Sequence, residues 1–268
     1  MQKSFKEYAN IAHNMLNNDS RYKSNKTIIS NLFIKPIAKG DVETIKNRLT
    51  IIDSYYSTQM NKRLYGIEEL ADKLSLYSDS TLKNEISIFL EEPNEGVLFQ
   101  LFNKRYGLNK EGNPEKKAIS LLSKYFYFLC DFEFPIYDSL AFDSYALLKE
   151  NMFISINSLN EENYFASMKY LNSISNINNY EKLDNILWLL GKLKNGSFSI
   201  LMDMDKYKNI TAIEEISQEF DEINKSKSRN KSKLKDSAIR NYIANNYKDS
   251  VLFNNDEKVI FEFAFSLI

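Results

Sequence analysis

Residues 113–139 read NPEKKAISLLSKYFYFLCDFEFPIYDS, and this stretch decides the fold class. Asn113 is a favoured N-cap and Pro114 is pre-organised for a first helical position, so the sequence predicts a helix from Glu115 to Asp131. Between Ile119 and Cys130 the run is densely apolar, the pattern of a buried helix. Pro135 predicts its end, because a residue preceding proline disfavours helix. FPIYDS is then a stiff, irregular connection, and helical spacing resumes from Leu140 to Met152.

Outward from this segment the same periodicity recurs. Phe5, Tyr8, Ile11, Ala12 and Met15 lie at helical spacing, followed by a polar break from Asn17 to Ser24. Asp41 stands where an N-cap belongs, and Val42, Ile45, Leu49, Ile52 and Tyr56 follow at three- and four-residue steps. That helix is expected to run to about Leu64 and stop at Gly66. Glu68 to Leu76, Thr81 to Glu91, Asn160 to Leu171 and Tyr180 to Lys194 add amphipathic segments, and Thr211 with Glu214 reads as a capping box. The terminal VIFEFAFSLI fits helix or strand equally. Gly (7) and Pro (4) are scarce against the roughly 30 that average usage would supply in a chain of 268 residues. The expectation is an all-α chain. An apolar helix ending at Lys194-Asn195-Gly196 predicts a core over 1–195 and a charged C-terminal extension over 196–268.

Composition excludes several chemistries. Lys plus Arg (35) against Asp plus Glu (36) gives a net charge of −1, which rules out a globally basic nucleic-acid binder while allowing a local basic patch. A single Cys forbids an intramolecular disulfide and fits a reducing cytosol. With one His as well, a Ser–His–Asp triad or a His/Cys metal site is not expected, and no motif calls for a cofactor. The amino terminus lacks the pattern of a signal peptide, and no apolar run reaches the roughly 18 residues of a membrane span.

Five segments carry candidate chemistry. Asp138 follows the stiff Phe134–Tyr137 turn, near the start of the next helix; it reads either as a cap or as an ionised carboxylate held by the helix dipole. Lys124, inside the apolar run, is either a snorkelling side chain or a desolvated amine, hence a nucleophile. Lys116 and Lys117 lie at the start of the same predicted helix, where they are solvated or touch phosphates, and Glu115-x-Lys117 has the spacing of a nuclease signature without its partner Asp. The polar interruption Ser57-Thr58-Gln59 after Tyr56 lines a cleft or a tight helix crossing, and Trp188 is a core or a base-stacking residue. Lys225, Lys227, Arg229, Lys231, Lys233 and Lys235 put a cation at every second position, a phosphate-binding stripe or a solvated loop offsetting the acidic helix before it.

Taken in order, a helix ending in Tyr-Tyr-Ser-Thr-Gln (55–59), a Ser-Lys-bearing apolar helix, the Phe-Pro-Ile-Tyr-Asp-Ser turn and a Leu-Asp-x-x-Leu-Trp-x-x-Gly-Lys helix (183–192) resemble a bacterial family with the 8-oxoguanine DNA glycosylase fold, a branch of the helix-hairpin-helix glycosylase superfamily. The resemblance spans about residues 40–195 and is most specific in the Phe-Pro-Ile-Tyr-Asp-Ser turn. It implies a two-lobed helical core that excises a modified purine from DNA, in repair or anti-phage defence. By the same resemblance Asp138 is the catalytic carboxylate, and Lys124 or Lys117 the lysine that forms a Schiff base with the sugar. Ser57, Thr58 and Gln59 probe the duplex, with Tyr56, Tyr137 and Ser139 close to the base and Trp188 walling its pocket. Gly112-Asn113-Pro114 is all that stands for the superfamily's glycine hairpin, which raises the alternative of an inactive module that binds DNA or protein.

Overall fold

Among the residues that the computed structural model describes, 3–114, 116–151 and 158–268, the chain forms fourteen α-helices and no β-strand. The helices are α1 (Phe5–Asn18), α2 (Ser20–Asn31), α3 (Val42–Tyr56), α4 (Gly66–Leu74), α5 (Asp79–Glu91), α6 (Gly96–Asn103) and α7 (Ile119–Leu129). They continue with α8 (Ser139–Glu150), α9 (Tyr164–Ile174), α10 (Tyr180–Lys194), α11 (Met204–Thr211), α12 (Glu214–Lys225), α13 (Lys231–Asn246) and α14 (Asn255–Leu267). None is long and apolar enough to cross a membrane. Contacts group the chain into two compact units that interleave in sequence. One comprises Met1–Asp19, Ser139–Ser158 and Asn185–Ile268; the other comprises Ser20–Asp138 and Leu159–Asp184. The end of α10 near Gly196, where the sequence suggested a boundary, lies within the first unit.

The second unit is built on aromatic packing. Phe89 of α5, Phe102 of α6, Phe126 of α7, Phe134 and Phe165 of α9 meet with centroid separations of 4.7–6.2 Å, many of them edge-on or tilted, as ring quadrupoles prefer. Every residue of α7 from Leu121 to Leu129 is buried, as the apolar run predicted. Its start is different. Asn113 and Pro114 do not open the helix: Asn109 accepts the amides of Glu111 and Asn113 on its carboxamide oxygen, and Pro114 and Lys117 are drawn into bridges with Leu108 and Arg105. Backbone pairing thus overrides the local helix-start signal, and α7 begins only at Ile119. Glu115, and with it the Glu115-x-Lys117 pattern, lies outside the described residues, as does Met152 at the expected end of α8.

Asp41 does cap α3, accepting from the Thr44 amide at 3.1 Å. The helix, however, ends at Tyr56 rather than near Leu64. Asp53, one turn earlier, takes the amides of Met60 and Asn61 at 2.9 and 3.0 Å and the Thr58 hydroxyl, offering the backbone a turn in place of helix. Gly66 consequently opens α4 instead of closing α3. The break after α1 is confined to Asp19, and α2 fills most of the expected polar gap.

In the first unit Tyr8 of α1 stacks on Phe263 of α14 at 3.8 Å, and the ambiguous C-terminal stretch is helix. Thr211 closes α11, and α12 has no side-chain cap, so the predicted capping box does not form. Helices α8 and α10 cross closely: the Ser144 hydroxyl donates to the Leu187 carbonyl. A Cβ on Gly191 would fall 2.6 Å from the Leu140 carbonyl oxygen and 2.9 Å from its Cα. In an open helix Gly to Ala gains about 0.5–1 kcal/mol, but here the added methyl has no space. We expect Gly191→Ala to destabilise the protein by about 3 kcal/mol, read from the urea midpoint. A neutral or stabilising outcome would contradict the crossing.

Candidate functional site

The site is a buried lysine and the turn wrapped around it, all within the second unit. Lys124 lies one turn from Ser120 on α7 and is only 2% exposed, so its ammonium does not snorkel to water. It donates to the Ser120 hydroxyl at 2.9 Å and to the Tyr137 carbonyl at 3.3 Å, and lies 5.4 Å from the Tyr56 ring centroid. Each acceptor is neutral. Burial lowers the Lys124 pKa, and the carboxylates of Asp138 and Asp184 act in the opposite direction.

The Phe-Pro-Ile-Tyr-Asp-Ser turn is pinned on both sides. The Tyr137 amide donates to the Ser123 hydroxyl at 3.0 Å, and the Tyr164 hydroxyl donates to the Ile136 carbonyl. Pro135 and Ile136 are buried, whereas Tyr137 and Asp138 are half-buried and Ser139 is exposed at the start of α8. Hydrogen bonds with Ser123 and Lys124 of α7 and with Tyr164 of α9 therefore hold the two consecutive peptide groups that precede Asp138.

Asp184 on α10 is the member that sequence reading missed. It is half-buried, yet the crowding of protein atoms and, next, the negative charge of Asp138 push its carboxyl up to about 8, while Lys124 and Lys26 pull it down. Burial thus disfavours the charged form of both groups, raising the acid and lowering the amine. The hydroxyl of Tyr127 is buried in this neighbourhood with no hydrogen-bond partner among the described residues, and its pKa is raised, chiefly by burial. Since the folded-state value of Asp184 exceeds the ordinary 3.8, this group stabilises the fold below about pH 4, and that contribution is lost as pH rises through about 8. We expect Asp184→Asn to flatten the fall in stability between those limits, measured as urea midpoints across the pH range. Parallel wild-type and variant curves would contradict the shift.

The two candidate lysines separate clearly. Lys117 is about one-third exposed and pairs with Glu161 at 2.8 Å and Asn103 at 2.8 Å, so it is a solvated, neutralised cation. Ser57 and Gln59 are exposed and hold left-handed φ values of 51° and 63°, while Thr58 is tied to Asp53. The helix-crossing reading of this polar stretch gives way to an exposed turn.

Trp188 is half-buried in the first unit, with the Lys192 ammonium 5.6 Å from its ring. The basic stripe also belongs to that unit and is not one loop. Lys225 ends α12, Lys227 and Arg229 occupy the joint, and Lys231, Lys233 and Lys235 open α13. Lys231 donates to the Asn224 carbonyl at 2.6 Å and Lys235 lies 5.1 Å from the Phe220 ring, so both are used in closing this helical hairpin. Lys225, Lys227, Arg229 and Lys233 are exposed. Among the described residues no three His, Cys, Asp or Glu side chains group as metal ligands do. No protein-family model, curated protein or solved structure matches the chain.

Proposed function

We propose that this chain is a DNA N-glycosylase acting on a modified purine, with Lys124 as nucleophile and Asp138 as the charge-stabilising carboxylate. The observation that carries this reading is the amine of Lys124, almost sealed from solvent and aimed at the peptide bond that precedes Asp138. The ordered likeness of the Ser-Lys helix and the Phe-Pro-Ile-Tyr-Asp-Ser turn to helix-hairpin-helix glycosylases supports it.

In this mechanism a base leaves the duplex stack, at a cost of a few kcal/mol. The neutral Lys124 nitrogen attacks the sugar C1′, the bond from C1′ to the base nitrogen breaks, and the base departs with its electron pair. Positive charge grows on the sugar during this step, and the negative charge of Asp138 stabilises it. Loss of the proton from the attached nitrogen, with opening of the sugar ring, gives the Schiff base. Burial, which disfavours the ammonium, is what keeps a proton off Lys124 at the moment of attack.

The test is base release from a duplex containing an oxidised purine under single-turnover conditions. Wild-type protein is expected to release the base, and Asp138→Asn to slow release about 10²–10³-fold with little change in duplex affinity, the loss typical of one preorganised electrostatic group. Full activity in Asp138→Asn would remove this carboxylate from the chemistry. No release by the wild type from any modified purine would leave a binding module.

A further inference from the structure

A second set of cations in the same unit remains unexplained by that chemistry. Arg63, Arg105, Lys116 and Lys117 line a recess of about 610 Å³ together with one carboxylate, Glu161. Among the described lining residues the cations outnumber the carboxylates, and Glu161 is already paired with Lys117. Arg105 and Lys116 are exposed and have no carboxylate partner among the described residues.

These side chains come from distant sequence but are held on a firm backbone. Leu64 and Leu108 exchange hydrogen bonds at 3.1 and 2.9 Å, Arg105 bridges Lys117, and the Arg63 guanidinium donates to the Lys116 carbonyl at 2.8 Å. Gly107, with φ +72°, lets the two segments close; a Cβ there would lie 2.9 Å from the Gly66 Cα. Helix α7 begins at the recess through Ile119 and Ser120, and its N-cap, Ala118, supplies no side-chain acceptor. An anion placed there would meet the positive end of the helix as well as the planar guanidinium of Arg105.

We propose that this recess is a phosphate-binding site. Arg105 supplies a bidentate fork and Lys116 a point charge, Arg63 and Lys117 frame the recess through their own contacts within the protein, and the start of α7 supplies backbone donors. Ser120 and Tyr137 line the recess and are also the residues that accept from Lys124, so an anion bound here lies beside the amine without touching it. The site does not depend on Lys124 being reactive.

Two sources of phosphate are separated by two measurements on wild-type protein and on Arg105→Gln/Lys116→Gln, a pair of exposed substitutions that leaves the core intact. The first is binding of a short labelled duplex at several salt concentrations. If the phosphates are those of a strand, the double variant weakens binding, and the slope of log K against log salt falls by about 2, near 0.9 per lost contact. The second is the thermal midpoint in millimolar inorganic pyrophosphate. If the site takes a small phosphorylated ligand, wild type is stabilised and the double variant is not. A change in either measurement supports the site and names its source. Unchanged duplex binding and slope, together with no pyrophosphate-dependent shift, overturn it. Lys124→Met serves as the control: it keeps both signals if the recess binds phosphate, even if no base is ever released.

Discussion

Arg48→Ala is expected to lower the stability of the protein by about 3–5 kcal/mol, as a parallel displacement of the urea transition. Arg48 lies on the inner face of α3 and is 1% exposed. Its Nη1 donates to both carboxylate oxygens of Asp79 at 3.0 and 2.9 Å, its Nε to the Leu32 carbonyl at 2.9 Å, and its Nη2 to the Lys35 carbonyl at 3.0 Å. The guanidinium carbon also lies 4.2 Å from the centroid of the Phe33 ring. Truncation removes all of these at once and leaves Asp79 as a buried charge with the Ile37 amide as its remaining described donor. The penalty arises mainly from the orphaned carboxylate and the two unsatisfied carbonyls. Arg48→Lys retains charge but not the fork and is expected to recover only part of the loss. A shift below about 1 kcal/mol in Arg48→Ala would show that the fold does not rest on this pair. Because Phe33 packs on Tyr125 of α7 at 5.2 Å, loosening this network also loosens the helix that carries Lys124.

How much of this was legible in the sequence follows from the range of the interactions. Helix α10 was readable to its end residues, Tyr180 and Lys194, because an apolar stripe with flanking polar residues is a local signal. Asp41 and α3 were readable for the same reason. Pro114 misled because a helix start and a turn use the same residues, and the deciding contacts, Pro114 with Leu108 and Lys117 with Arg105, exist only once the chain has turned back on itself. The early end of α3 was hidden by a similar competition, since the backbone amides that Asp53 captures exist only once the chain turns.

For the site, Lys124 stood out as a charge in an apolar run. Arg48 carried the same signal and was passed over: it lies three residues after Ile45, on the very stripe that becomes the core. Asp184, embedded in LDNILWLLG, was likewise a charge on an apolar helix. Arg63 and Arg105 left no trace in the sequence, because nothing local distinguishes a surface arginine that faces a recess from one that faces water.

The chemistry turns on whether the amine of Lys124 becomes covalently attached to the sugar. Borohydride trapping on a duplex carrying an oxidised purine reads this directly, since reduction of the Schiff base leaves a stable secondary amine. Wild-type protein is expected to give a covalent protein–DNA adduct. Lys117→Ala is expected still to give it at saturating protein, and Lys124→Met to give none. Methionine fills the same space without a charge, so the variant should fold with less than about 1.5 kcal/mol of loss, or with a gain. An undiminished adduct in a folded Lys124→Met protein would show that the buried amine is not the nucleophile.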